Sequence, residues 1–597
     1  MDSPGFTTRP TLQGSFGMVS STHWIASTAA MGTLERGGNA FDAAVCAGFV
    51  LHVVEPHLNG PGGDLPAIVS DPSGRGARVL CGQGPAPAGA TVEHFAGHGL
   101  DLVPGAGPLA TAVPGAFDAW MLLLRDRGSM SPAEVLGPAR HYAQHGVPVL
   151  PAMSRTVDAV RELFTQHWPT SAQTWLVRGR APVPGTLFRN PLWARTLDRL
   201  LAAGETGGAS REGRIDAVRR AWSSGFVAEA IERFARIPHR HSCGRVLPGV
   251  ITGADCAAYR ARWEEPATLD FRGHQIAKTG AWAQGPALLQ VLQMLGEDPV
   301  APLDTAAGVH EVVERFKLAL ADREAWYGDS ARQPPPLDDL LAQSYARSRA
   351  RLVGPRASHE VRPGAPGGRR PRMAARALAT DEAGMSEDAS TGEPTVPQYG
   401  AHSGDTCHVD VVDRWGNMIA ATPSGGWLQS SPVVGDLGFA LGSRLQMMWL
   451  EPGLPSSLVP GARPRSTLSP TLVLREDTPV LACGSPGGDQ QDQWQAVFLL
   501  RHLVEGASLQ EAIDAPTFHT TSFPGSFAPR LVEPGVLVAE DRLGAEVLQQ
   551  LRDRGHRVRS AGDWALSRLC VVARDPHTGL LSAGANPRGM QGYAVGR

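Results

Sequence analysis

Paired cysteines are missing from this chain. Its seven cysteines, Cys46, Cys81, Cys243, Cys256, Cys407, Cys483 and Cys570, are scattered and odd in number, and none falls in a C-x-x-C pair. That argues for reduced thiols, against a disulfide framework and against a tetrahedral zinc site. The run His239-Arg240-His241-Ser242-Cys243 has too few ligands at set spacing to hold zinc, so no metal is expected. A charge bias is missing as well. The formal net charge is -3, which favours neither nucleic acid nor an anionic membrane as partner. Residues 1–16 show no basic start followed by an apolar run, so no signal peptide is expected. The most apolar stretch, Ala44 to Val54, is too short to span a bilayer. The expectation is a soluble, cytoplasmic protein.

What the chain does have is material for a large core. It runs to 597 residues, 42% hydrophobic and 19% charged, a globular composition. Three helices announce themselves. Ser131-Pro132-Ala133-Glu134 is a capping box with proline at the first helical position, ended by Gly146, and Ser508-Leu509-Gln510-Glu511 opens a second helix in the same way. The stretch His310 to Trp326 sets Val312, Val313, Phe316, Leu318 and Leu320 among charges, an amphipathic pattern. Strands are expected at Thr406 to Val412, Met418 to Ala421, Leu472 to Leu474, Val480 to Cys483 and Leu569 to Ala573. In the first, Val409 and Val411 take one face and His408 and Asp410 the other. Strands mixed with helices give an α+β class.

Residues 354–400 differ in composition. They hold Arg356, Arg362, Arg369, Arg370, Arg372 and Arg376, then an acidic run over 381–393, with few large apolar groups and no aromatic rich enough in number to suggest a nucleic-acid tail. Such a segment buries too little surface to offset its ordering entropy, so a mobile stretch is expected immediately before Thr406.

Thr406 on its own would be an ordinary strand residue. Its surroundings say more. Asp405-Thr406-Cys407-His408-Val409-Asp410 is preceded by Gly37-Gly38-Asn39-Ala40-Phe41-Asp42, Val54-Glu55-Pro56-His57 and Gly60-Pro61-Gly62-Gly63. It is followed by Arg463-Pro464, Leu468-Ser469-Pro470-Thr471, Gly484-Ser485-Pro486-Gly487-Gly488 and Asn586-Pro587-Arg588. In this order the motifs resemble those of the γ-glutamyltranspeptidase family over most of the chain. The resemblance implies the N-terminal nucleophile hydrolase fold, an αββα sandwich of two stacked antiparallel sheets between helical layers. It implies self-cleavage between Asp405 and Thr406, giving a large subunit, 1–405, and a small subunit, 406–597, joined as an obligate heterodimer. It implies no cofactor and a small-molecule substrate.

The chemistry follows from what the groups need. Cleavage would free the α-amino group of Thr406, whose reference pKa is about 7.7–8.0, so that it can act as base for the neighbouring hydroxyl. By resemblance, the backbone N–H groups of Gly487 and Gly488 bind the oxyanion, and Thr422 and Ser424, 16 and 18 residues after Thr406, support the nucleophile. Asp413 and Asn417 suit the turn between two strands. His408 reads as structural, and Cys407 should point away from the Thr406 face.

Departures from the family pattern bear on the substrate. Gln83, in Gly82-Gln83-Gly84-Pro85, stands where the family places the arginine that holds a glutamate α-carboxylate, and it cannot supply charge-assisted bidentate bonds. The stretch Gly442-Ser443-Arg444-Leu445-Gln446-Met447-Met448-Trp449 has no carboxylate for the α-amine and has gained Arg444. Ser466 and Thr467 keep the hydroxyl pair used against the α-carboxylate. Gln83, Arg444, Gln446, Ser466 and Thr467 are therefore the candidate substrate contacts. Arg444 either meets an anionic acyl group or is a surface residue or partner of Glu451. Met447, Met448, Trp449 and Trp427 form an apolar wall or simply pack. The favoured expectation is a hydrolase that passes a non-glutamyl, anionic acyl group to water. A γ-glutamyl (glutathione) hydrolase or transpeptidase, and a carbon–carbon bond hydrolase of a biosynthetic pathway, remain as alternatives.

Overall fold

A computed structural model describes residues 6–73, 76–331, 333–378, 406–528 and 530–597. Two seven-stranded antiparallel sheets stack on one another. The first runs, edge to edge, Tyr593–Gly596, Gly17–Ser21, Val409–Asp413, Met418–Ala421, Leu65–Ser70, Arg78–Gly82 and Arg262–Glu264. The second runs Leu12–Gly14, Leu581–Ala585, Cys570–Arg574, Thr478–Gly484, Thr471–Arg475, His274–Lys278 and Ala267–Phe271.

Strand alternation divides the core into layers. Met18, Ile68, Val79, Val412, Met418 and Ala420 of the first sheet meet Ala277, Leu472, Leu474, Ala482 and Val572 of the second. The opposite face of the first sheet, with Val19, Val69, Val409, Val411 and Ile419, packs on helices that include Ala40–Val54 and Ala116–Arg127. The opposite face of the second, with Ile276, Val473, Leu481 and Val571, packs on Pro286–Leu295, Ala306–Trp326 and Gln491–Leu503. The result is a four-layer αββα sandwich, the architecture that the sequence resemblance implied.

Both capping boxes form, at Ser131 with Glu134 and at Ser508 with Glu511, and Gly146 closes its helix at φ 104°. The strand expected from Thr406 instead begins at Val409. Pro423 explains the shift: its carbonyl accepts from the Cys407 N–H at 3.0 Å, but it has no N–H to return. The ladder lapses there and resumes as a single bridge between Thr406 and Ser424.

Residues 354–378, the first half of the stretch expected to be mobile, are packed instead. Ala374 and Ala377 are buried with Trp449 and Leu454. The Gly364 N–H donates to Asp322 at 2.6 Å, and Arg369 and Arg376 pair with Asp339 and Asp101. Burial of Ala374 and Ala377 and the hydrogen bond to Asp322 hold the segment where its own composition offers little apolar surface. The remainder of that stretch, 379–400, and Asp405 lie outside the described residues.

Candidate active site

Thr406 enters the first sheet buried. Its Oγ1 lies 3.2 Å from Ser424 Oγ. Ser424 in turn exchanges both backbone hydrogen bonds with Asp64, at 2.7 and 3.0 Å, so Thr406, Ser424 and Asp64 follow one another across the sheet. Thr422 serves a different partner. Its hydroxyl lies 2.9 Å from His408 Nδ1, and His408 Nε2 lies 2.8 Å from Asp410 Oδ1, a chain buried between the sheets. Burial, opposed by His408, pushes the Asp410 carboxyl up to about 6. Through His408, Thr422 thus braces the strand that follows Thr406.

Cys407 points to the helical side, as alternation requires. Its thiol donates to Glu55 Oε2 at 3.0 Å and accepts from Asn59 Nδ2 at 3.0 Å. Burial, then the Glu55 carboxylate, pushes the thiol well above its usual range, which makes it a poor nucleophile. Burial also pushes Glu55 up to about 7, against hydrogen bonds from Cys407, Thr22 and Gln591. Asp413 holds the strand turn, accepting from Trp415 N and Asn417 N at 3.0 Å each.

The glycine loop follows the strand Thr478–Gly484 and leads into the helix Gln491–Leu503. Gly484 lies against His408: a Cβ there would come within 2.1 Å of the imidazole. Gly487, at φ 133°, leaves equally little room beside Trp494, where a Cβ would sit 2.2 Å from the ring. The Gly487 carbonyl accepts from Gln490 N at 3.0 Å and the Gly488 carbonyl from Gln284 Nε2 at 3.2 Å. In a trans peptide the Gly488 N–H points opposite to the Gly487 carbonyl, away from the helix. The loop therefore presents a fixed donor ahead of a positive helix end.

Arg444 is neither exposed nor bound to Glu451, which accepts instead from Ala375 N at 2.9 Å. Its Nε donates to Asp64 Oδ2 at 2.7 Å, and Gln83 Nε2 donates to Asp64 Oδ1 at 3.3 Å. Asp64, missed at the sequence level, is the carboxylate of this site. The only signal for it was its place directly after Gly60-Pro61-Gly62-Gly63. Burial raises its carboxyl and Arg444 opposes the rise. Beyond Asp64, Arg444 Nη2 has no hydrogen-bond partner among the described residues and lies beside Gly425, one residue from Ser424. The guanidinium is 5.8 Å from the Trp427 ring centre, and Nη1 reaches Met447 Sδ at 3.7 Å.

The other candidates divide. Gln446 is a clamp: its amide donates to the Gly105 carbonyl and Ser443 Oγ and accepts from Ala528 N. Ser466 Oγ accepts from Leu468 N at 3.2 Å, whereas the buried Thr467 hydroxyl has no partner among the described residues. Met448 packs in a separate apolar cluster, and Trp449 donates to Glu324 at 2.6 Å. His241 is structural, accepting from Leu109 N at 2.9 Å. One cluster that could hold a metal was not foreseen, His310, Glu314 and His556. Most of its ligand atoms are already engaged: His310 Nδ1 lies 2.8 Å from His556 Nε2, and Lys317 donates to Glu314 at 2.6 Å, while His556 Nδ1 has no partner among the described residues.

A family model described as gamma-glutamyltranspeptidase matches residues 26–596. The chain is similar to the glutathione hydrolase-like YwrD proenzyme of Bacillus subtilis (strain 168), 30% identical over 584 residues, which span 97% of this chain and 98% of that protein. It is similar to the oxamate amidohydrolase proenzyme of Klebsiella pneumoniae subsp. pneumoniae, 30% identical over 591 residues, 97% of this chain and 98% of that one. Among solved structures it resembles LmbA2991HD, 56% identical, with a TM-score of 0.95 over 99% of this chain and 100% of that one.

Proposed function

The chain belongs to the γ-glutamyltranspeptidase family, and from that premise we propose that it is a self-processing hydrolase with Thr406 as nucleophile, acting on a non-glutamyl, anionic acyl amide. The observation that carries this reading is the buried pair of hydroxyls, Thr406 Oγ1 and Ser424 Oγ, 3.2 Å apart at the end of a central strand.

In processing, the Thr406 hydroxyl attacks the Asp405 carbonyl carbon. The C–N bond breaks, an ester forms and the hydroxyl proton passes to the departing nitrogen. Water then hydrolyses the ester, leaving a carboxylate on Asp405 and a free α-amine on Thr406. In turnover, the amine takes the hydroxyl proton as Oγ1 attacks the substrate carbonyl, and hands it to the leaving amine. Backbone N–H groups of Gly487 and Gly488 receive the oxyanion. Water enters by the same route and releases the acid. The relatives' description as proenzymes supports the first step.

The substrate reading is supported by what the pocket can no longer offer an amino acid. Gln83 replaces a guanidinium with a neutral amide, and both Asp64 oxygens already accept hydrogen bonds, from Arg444 and Gln83, so that its charge is spent on Arg444 rather than kept for an ammonium. Each lost charged contact is worth about 1.5–3 kcal/mol. The oxamate amidohydrolase relative supports a small amide carrying its own carboxylate. A glutathione hydrolase is the second reading, favoured by the YwrD relative's description. Seven unpaired cysteines support a reducing, cytoplasmic location.

A denaturing gel with intact mass tests the core of the proposal. Purified protein should give pieces of about 405 and about 192 residues, and Thr406→Ala should stay whole. Cleavage of Thr406→Ala would refute the assignment. Efficient release from a chromogenic γ-glutamyl amide, with none from oxamate or malonamate, would favour the second reading.

A further inference from the structure

Among the described residues, Arg530 is a buried guanidinium with no hydrogen-bonded counter-charge. It is 2% exposed, and its Nε, Nη1 and Nη2 all lack a hydrogen-bond partner among the described residues. Its guanidinium lies 3.8 Å from the Trp449 ring centre, and Trp449 is itself fixed by its bond to Glu324. The backbone of Arg530 is left-handed, φ 64°, a conformation a non-glycine residue takes at a cost.

The surrounding charges are spent. Arg323 pairs with Asp489, and Arg465 with Glu324 at 2.7 Å. The remaining carboxylate oxygens are taken as well. Asp489 accepts from Ser526 N at 2.9 Å and from Ser526 Oγ at 2.6 Å, and Glu324 Oε1 accepts from Trp449. Three buried guanidiniums thus share two carboxylates, and the third is Arg530. Burial, offset in part by Glu324 and Asp489, brings Arg530 down to about 9. A buried unpaired charge is unfavourable until a counter-charge arrives.

Its position relates this charge to the candidate site. The loop carrying it touches Gln446 on one side, through Ala528 N at 3.2 Å. On the other it binds Asp489, the residue after Gly488. Arg444, whose Nη2 is also open, is already neutralised by Asp64.

We propose that Arg530 is the seat of a substrate carboxylate: the acyl donor carries a carboxylate that accepts two N–H bonds from Arg530, the guanidinium face resting on Trp449. The inference rests on the reading of Thr406 as nucleophile and adds where the acyl group's negative charge is held. Arg444 then supplies hydrogen bonds to an uncharged oxygen of the same substrate.

Thermal unfolding with oxalate, malonate or succinate, each against sodium chloride at equal ionic strength, tests this on the unaltered protein. At least one dicarboxylate should raise Tm by several degrees. Arg530→Gln should abolish the shift, and Arg530→Lys, which keeps the charge but loses the two-pronged geometry, should weaken the apparent affinity about tenfold or more. With a turned-over amide, Arg530→Lys should raise KM more than it lowers kcat. Absence of any dicarboxylate shift in the unaltered protein overturns the proposal, as does a shift retained in Arg530→Gln. Should Arg530→Gln not fold, Arg530→Lys decides, and an unchanged affinity there overturns it. The same titration on Thr406→Ala separates the two readings. If Thr406→Ala is cleaved yet an Arg530-dependent shift persists, the nucleophile assignment fails and the anion seat stands. Normal processing with no Arg530-dependent shift is the reverse.

Discussion

Around Thr406, single side chains are set by burial more than by their own chemistry. Cys407 has the better intrinsic nucleophile but is turned away and held protonated by burial and then by its Glu55 partner. Glu55 itself sits at about 7 against 4.5 for the free group. The folded protein therefore binds a proton that the unfolded chain has lost between pH 4.5 and 7, and stability falls as pH rises through that window. Asp410, at about 6, acts in the same direction. Glu55→Gln should flatten the decline, by about 3 kcal/mol at most, measured as unfolding free energy at pH 5 and pH 7.5. Arg444→Gln removes the partner of a buried carboxylate. It should cost about 3–5 kcal/mol, read by denaturant unfolding, and lower activity. Activity of the unaltered enzyme should rise through about pH 7–8 as the Thr406 amine loses its proton.

Elements decide how the reactive groups are presented. The capping boxes at Ser131 and Ser508 were legible because a cap and its helix are neighbours in the chain. The start of the strand after Thr406 was not. Pro423 breaks the ladder from the facing strand, and propensity along Thr406 to Val412 carries no record of it. The loop Gly484 to Gly488 was legible as glycine-rich, but the reason for Gly484 and Gly487 is His408 and Trp494 packing against them. Gly487→Ala should push a methyl into the Trp494 ring. Turnover is expected to fall about 100- to 1,000-fold through loss of the oxyanion donor geometry, with a stability loss of about 1–3 kcal/mol, separable by comparing kcat with Tm.

At the scale of the molecule, the expected cut does not divide the fold. In the first sheet, Val409–Asp413 and Met418–Ala421 lie between Gly17–Ser21 and Leu65–Ser70, so strands from both sides of residue 405 alternate. In the second, Leu12–Gly14 and His274–Lys278 pair with strands from beyond the cut. The two pieces should co-elute as one body on size exclusion after processing and separate only in denaturant. Elution of the smaller piece alone under native conditions would contradict this.

The sequence by itself determined the local features and the inventory of groups. These were the helix caps, the ordered motifs with Thr406 at their centre, the strand faces that set Cys407 apart from His408, and the loss of the arginine at Gln83. Each depends on residues adjacent in the chain or repeating at a fixed period. Only the tertiary structure decided which charges are balanced. Arg444 finds Asp64 across 380 positions, Thr422 serves His408, and Arg530, alone of three neighbouring arginines, has no hydrogen-bonded carboxylate among the described residues. Pairing of buried charges is a matter of distance through space, and composition records how many charges there are without saying which of them meet.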